Sequence, residues 1–441
     1  MKKFLLYIIL FAGVILSGCK KNESPIFDDV DKRLGEALAA DQSQLTTPAN
    51  GWKATIFPKG GKGFSFYFKF DKEGKVKMLS DFDASTASAI KESTYRLKAL
   101  QFPTLIFDTY NSIHLLSDPN PAVNGGTAGK GLTSDFEFGF TGDANPDTLK
   151  LEGIINENIL KMVKLSADEE QAIIGGGLNT MRTKTVAFLA GKFPYVMLDN
   201  KQVPVSIGVS TKSLNIGGLD NAFAFAIDGL EIKNPIIYGT HVFKKVFWDA
   251  TDSYFYLLEG TTKYKVVAST VPLILDKTPA LHTLLGTRYT SMKISPAVLP
   301  DLSADFVARY NAAVSSLTLI QGLRLDYMTL LFTGNNQMIL RVRFLPAGTS
   351  TTTFYDGDFY FNMAVNDAGV AQLTGIPAPV TGTTVSNGEA IRPALTPFIN
   401  YLNTNAFKIA YIAAAAPSGS TVGGFLSQTN PNSYFYGVLA Q

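Results

Sequence analysis

Phenylalanine recurs at every second position from Phe64 to Phe70, with Ser65, Tyr67, Lys69 and then Asp71 alternating against it. Side chains two residues apart on a strand share one face, so this spacing commits the segment to a β-strand with a single apolar side. The turn Asp71-Lys72-Glu73-Gly74 leads into Val76 and Met78, and the two segments together read as a β-hairpin. The same alternation returns at Phe136, Phe138 and Phe140, at Phe223, Phe225 and Ile227, at Met338, Leu340, Val342 and Phe344, and at Phe359, Phe361 and Met363. The expected fold class is therefore mainly β, with two or more antiparallel β-sandwich or barrel-like domains and a few short helices. A length of 441 residues has room for two or three such domains.

Helical periodicity is confined to a few places. Val30, Leu34 and Leu38 predict an amphipathic helix that ends before Pro48. Ser166 followed by Glu169 is a capping box, whose helix should run to Gly175-Gly176-Gly177 or slightly beyond. Ser303 is placed to cap a helix carrying Phe306, Tyr310, Val314 and Leu317, and Thr396-Pro397 to open another through Leu402. Residues 27–182 are expected to form an N-terminal β-rich domain and 183–441 a C-terminal β-rich region with a split near 300. Pro119 to Gly131 and Ile376 to Gly388 read as mobile or ligand-facing loops.

The first residues look like an address. Lys2 and Lys3 precede an apolar run from Phe4 to Leu16, and small residues lead to Cys19, which together read as a secretory signal peptide over 1–18. As a helix the run spans about 20 Å, short of the roughly 30 Å hydrocarbon core, so it is not expected to persist as a membrane span. Leu16-Ser17-Gly18-Cys19 resembles a bacterial lipobox, which implies acylation of Cys19 and a lipidated tether over 19–26. The full chain carries a formal charge of +2, and loss of Lys2 and Lys3 leaves none. Attachment to the bilayer is then expected through lipid, at about 0.8 kcal/mol per buried methylene. Lys20 after the cysteine resembles sorting to the outer membrane, with the cell surface favoured over the periplasmic face. A transmembrane β-barrel is disfavoured by the lipobox, the internal helices and the charges on several strands.

The stretch Leu105 to Asn120 holds Phe107-Asp108-Thr109-Tyr110-Asn111, His114 and Ser117-Asp118-Pro119. With Asn50-Gly51-Trp52, Gly63-Phe64, Ser80-Asp81, Ser134-Asp135-Phe136-Glu137-Phe138 and Leu151-Glu152-Gly153, it resembles a Bacteroidota family of lipoproteins with a domain of unknown function. The resemblance covers about residues 25 to 182 and weakens from Thr183 onward. It implies an accessory lipoprotein of an outer-membrane nutrient-uptake system. The implied partners are a TonB-dependent transporter and the surface lipoprotein that lids it. The family carries no established activity, so the resemblance implies no catalytic residues.

Direct chemistry is sparse. His114, His241 and His282 lie far apart and none has a histidine neighbour, so no metal site or cofactor is expected. Asp143, Asn145 and Asp147 open like an EF-hand loop, but Thr148 and Ile154 stand where glycine and a bidentate glutamate belong, and an Asx turn is the better reading. Asp135 with Glu137, and Asp81 with Asp83, are acids at i and i+2 that read as solvated strand faces unless acids from distant strands converge on them. No Gly-x-Ser-x-Gly elbow occurs, and Gly125 to Gly131 with Lys130 lacks the Ser or Thr of a P-loop. Lys and Arg are dispersed, which argues against nucleic acid.

The remaining candidates are for ligand binding: Tyr67, Tyr110, Asn111, His114 and Asp118, with Tyr254 and Tyr256 as further exposed rings. The expected function is a non-catalytic, lipid-anchored outer-membrane protein that binds glycan or peptide nutrient. A surface hydrolase with carboxylates gathered from separate strands, and an adhesin or structural surface protein, are the rival readings.

Overall fold

The structure, a computed structural model, describes residues 30–100, 102–142, 145, 147–348 and 353–441. The stretches expected to form a signal peptide (1–18) and a lipidated tether (19–26), with Cys19, lie outside the described residues. Two compact units divide after Leu178.

The first unit is built on an eight-stranded barrel whose strands pair in chain order from Trp52–Ile56 to Ile159–Lys164, each antiparallel to its neighbours. Trp52 to Ile56 closes the ring by pairing with Lys164 to Leu160. Phe64, Phe66, Phe68 and Phe70 all point inward, where Phe68 meets Phe107 at 5.3 Å and Phe107 meets Phe138 edge-on at 6.5 Å. An eight-stranded barrel is just wide enough for side chains to fill, and here they do. Lys53, Lys69, Lys77 and Lys161 alternate with these residues on the outer wall, which is the inverse of the membrane-spanning pattern. The helix Val30–Thr46 is pinned where Trp52 Nε1 donates to the Leu45 carbonyl at 2.9 Å.

The second unit holds two more barrels. Strands Phe193–Leu198 to Thr262–Ser269 form the second, closed by Val196 against Val266, with Phe223, Phe225, Phe243 and Phe255 fully buried inside. The helix Gly177–Leu189 contributes Met181, Phe188 and Leu189 to that core. The third runs from Ser291–Ile294 to Tyr434–Ala440 and closes by Met292 against Leu439, while Leu273–Ile274 adds a ninth strand along Ala406–Ala413. Two helices, Ala304–Gln321 and Thr383–Thr404, share its core through Phe306 and Phe398, which pack against each other and against Phe435. The mainly β class with barrel-like domains is thus observed, as three successive up-and-down barrels.

Several local expectations hold in detail. Ser166 and Glu169 exchange both capping-box bonds at the start of Ala167–Ile174, and Ser303 Oγ accepts the Phe306 N–H at 3.2 Å. The helix placed at Thr396-Pro397 is a correction: it starts at Thr383, so Pro393 and Pro397 lie inside it. Both prolines lie on the exposed side of the helix, where their missing N–H groups are tolerated best, while Ile391, Leu395, Phe398 and Leu402 bury the opposite side. The segment from Thr383 to Gly388 is accordingly helix and not loop. Gly388 sits where a Cβ would approach the Asp358 carbonyl oxygen to 2.5 Å.

That approach fixes the sign of a test. Glycine to alanine inside an open helix stabilises by about 1 kcal/mol, whereas Gly388→Ala should destabilise the third barrel by about 1–3 kcal/mol through backbone overlap. Scanning calorimetry would show a lower transition temperature; an unchanged or higher one contradicts the close packing.

Candidate functional site

The segment between strands Pro103–Phe107 and Glu137–Phe140 is the longest connection in the first barrel, and it folds back as a cap. A short 3-10 turn, His114–Ser117, and a helical turn, Pro121–Asn124, give it local order. Ile113, Leu116 and Leu132 insert into the barrel core. Two buried asparagines satisfy its backbone. Asn111 Oδ1 accepts the Ile113 N–H at 3.0 Å and its Nδ2 donates to Ser93 Oγ at 2.8 Å. Asn124 Nδ2 donates to the carbonyls of Leu115 at 2.9 Å and Asp118 at 3.0 Å, and its Oδ1 accepts from Gly126. Gly131 permits close approach, since a Cβ there would sit 2.7 Å from the Asp118 carbonyl oxygen. The glycine-rich stretch is therefore a packed turn tied to the barrel.

Its outer face carries a stack of rings. Tyr110 is 64% exposed and lies 5.7 Å from His114, which stacks on Phe136 at 4.6 Å and 26°. The Tyr110 hydroxyl donates to Asp118 Oδ2, and Asp118 Oδ1 accepts the Asn120 N–H at 2.9 Å. These two bonds lower the Asp118 carboxyl below its ordinary range, while the same carboxylate, with some burial, pushes the Tyr110 phenol up to about 12. His114 Nδ1 lies 3.3 Å from the Asn111 backbone nitrogen and 3.2 Å from Asn111 Oδ1, which ties the ring to that residue. Burial lowers the His114 pKa, so the ring is a neutral element of the stack. The result is an uncharged aromatic shelf of mutually tilted rings, bordered by a partly exposed carboxylate that retains accepting capacity.

Of the five sequence candidates, Tyr110, Asn111, His114 and Asp118 converge here. Tyr67 does not, and its expected exposure is corrected. It is 2% exposed beneath the helix Ala167–Ile174, donating to Glu170 Oε1 at 2.7 Å beside Lys69, which reaches the same oxygen at 2.8 Å. Phe136, assigned to the core stripe, is the ring that backs the shelf, a role its alternation with Phe138 conceals. Tyr254 and Tyr256 lie on the outer wall of the second barrel with Lys265 and Lys263 over their faces at 4.2 and 4.5 Å.

The acids read as solvated strand faces also need correction. Asp135 is 3% exposed and accepts from the backbone N–H groups of Ile155, Asn156 and Asn158 and from both asparagine side chains. Asp81 is buried and accepts the Ser65 N–H at 2.8 Å. Both carboxylates hold hairpins together. Of the EF-hand-like loop, Asp143 lies outside the described residues, and Asn145 Oδ1 accepts the Asp147 N–H at 2.9 Å in the Asx turn that the sequence favours. Among the described residues no three His, Cys, Asp or Glu side chains gather as metal ligands, and no helix is long and apolar enough to cross a membrane.

One further cluster joins three hairpins of the second barrel. His241 Nδ1 meets Glu259 Oε2 at 2.8 Å and its Nε2 meets Asp199 Oδ1 at 3.2 Å. The Glu259 bond, reinforced by Asp199 against the opposing effect of burial, raises the His241 pKa above 6.5, and His241 with the Val242 N–H lowers the Glu259 carboxyl below 4.5.

The chain belongs to a family described as a domain of unknown function (DUF4302), whose model matches residues 23–250. That range takes in the first barrel with its capped end and the second as far as the strand His241–Asp249. No curated protein matches the chain.

Two outcomes follow from these contacts. Asp135→Asn presents an amide to donors that need an acceptor and should cost the first barrel about 2–4 kcal/mol, read in denaturant through buried Trp52 in a Trp248→Phe background. A loss below about 0.5 kcal/mol, the range of an ordinary surface change, contradicts the assignment. For His241, the folded-state pKa is raised, so its contribution is complete below 6.5 and disappears as pH rises through the folded value. Glu259 contributes fully above 4.5 and loses its contribution on acidification through its folded value. The second barrel should be most stable between those limits, and His241→Gln should flatten the alkaline slope seen in Trp248 fluorescence.

Proposed function

We propose that the protein is a Bacteroidota lipoprotein, anchored through acylated Cys19 in the outer membrane and facing outward. There it binds glycan or peptide nutrient, without chemical conversion, beside a TonB-dependent transporter and its surface lipoprotein. The observation that carries the binding reading is the Tyr110–His114–Phe136 stack with Asp118 at its border. Pyranose C–H groups pack on flat aromatic faces, and a carboxylate alongside accepts hydroxyl hydrogens in charge-assisted bonds. An open shelf suits a chain lying across it rather than an enclosed small molecule. The anchoring part of the reading rests on Leu16-Ser17-Gly18-Cys19 and Lys20. The hydrolase reading loses its leading acid, because the lone pairs of Asp135 are engaged by structural donors.

Purified full-length protein on an array of polysaccharides tests the binding, and palmitate-analogue labelling in cells tests the anchor. Tyr110→Ala should weaken retention of the bound glycan by about tenfold or more, the equivalent of 1.4 kcal/mol, and Tyr67→Phe should leave it unchanged. Cys19→Ser should abolish labelling and release the protein from membranes. Equal retention by Tyr110→Ala, or shortening of the polysaccharide by the wild-type protein, overturns the proposal.

A further inference from the structure

The second and third barrels, both in the second unit, meet at a ring contact: Phe193 packs edge-on against Tyr434 at 5.8 Å and 75°. Beside it lies a half-open cleft of about 390 Å³ with Pro194, Val205, Leu273 and Ala414 in its walls. Two charged residues of opposite sign, Lys192 and Asp301, line the same space. Neither has an oppositely charged partner among the described residues. Asp301 is fixed by its backbone, whose N–H donates to the Tyr436 hydroxyl at 3.2 Å, while that hydroxyl donates to the Ala415 carbonyl at 3.1 Å. Burial raises the Asp301 carboxyl pKa above the ordinary range, against the opposing effect of the Ala415 N–H that it accepts.

The half-buried Asp301 carboxylate lacks a counter-charge, and the partly exposed Lys192 ammonium lines the same mainly apolar space, so a ligand that brings both complementary charges would satisfy the two at once. A neutral sugar brings neither. We infer that this cleft binds a zwitterion of amino-acid to dipeptide size, its ammonium on Asp301, its carboxylate on Lys192 and an apolar side chain against Phe193 and Leu273. The volume sits at the small end of the roughly 300–1,000 Å³ of ligand pockets, which suits one or two residues. The site is separate from the aromatic shelf of the first barrel and does not rest on it, so either can fail without the other.

The probe is L-leucyl-L-leucine, titrated calorimetrically into the full-length protein, with its N-acetylated and C-amidated forms as wild-type controls that need no variant. The free dipeptide should bind. N-acetylation or Asp301→Asn should each weaken it about tenfold or more, and the acetylated peptide should be indifferent to Asp301→Asn. Amidation and Lys192→Met should form the matching pair. Absence of binding by the free dipeptide overturns the inference. So does a loss in Asp301→Asn that is equal for free and acetylated peptide, because the carboxylate would then not be reading the ammonium.

Discussion

Each barrel exists because its last strand returns to its first. Trp52 to Ile56 against Lys164 to Leu160, Val196 against Val266, and Met292 against Leu439 convert three meanders into closed rings. Closure satisfies the backbone groups that an open sheet would expose along its margins. It also sets the width of the interior, and with it the number of aromatic rings the interior accepts. The outer walls and connections are then free to vary, and both candidate binding regions lie there.

The capped end of the first barrel illustrates the division of labour. Ile113, Leu116 and Leu132 face inward and complete the core, while Tyr110, His114 and Asp118 from the same segment face out. Asn111 and Asn124 let the two faces coexist, since they supply hydrogen bonds to backbone groups that would otherwise be buried without partners. The segment resembles a ligand loop by position and a core element by packing.

Local signals were legible in the sequence and nonlocal ones were not. The phenylalanine alternation, the Ser166–Glu169 capping box and the Ser303 cap each depend on neighbours within a few residues, and each is found where it was expected. Barrel closure was not legible as such, because it joins strands at opposite ends of a domain. The burial of Tyr67 has the same origin: Glu169 and Glu170 arrive from a helix 116 positions beyond Lys53 in the chain. Asp135 resembles a surface acid until the hairpin at Ile155 to Asn158 folds its donors onto it. The helix from Thr383 was hidden because proline normally ends a helix, and only tertiary burial of the opposite face reveals why it continues. At the shelf, Tyr110, Asn111, His114 and Asp118 were legible as one local segment, whereas Phe136 depended on how that segment folds back.

The rooting of the shelf has a consequence for the binding proposed there. His114 follows Ile113, which is fully buried, and stacks on Phe136 at the start of a barrel strand, so the protein side has little left to order when something settles on Tyr110. The conformational entropy surrendered in such an encounter belongs almost wholly to the other molecule. A surface of this kind discriminates by the stiffness of what it meets: a chain already held straight by its own linkages loses less on arrival than a supple one offering identical contacts.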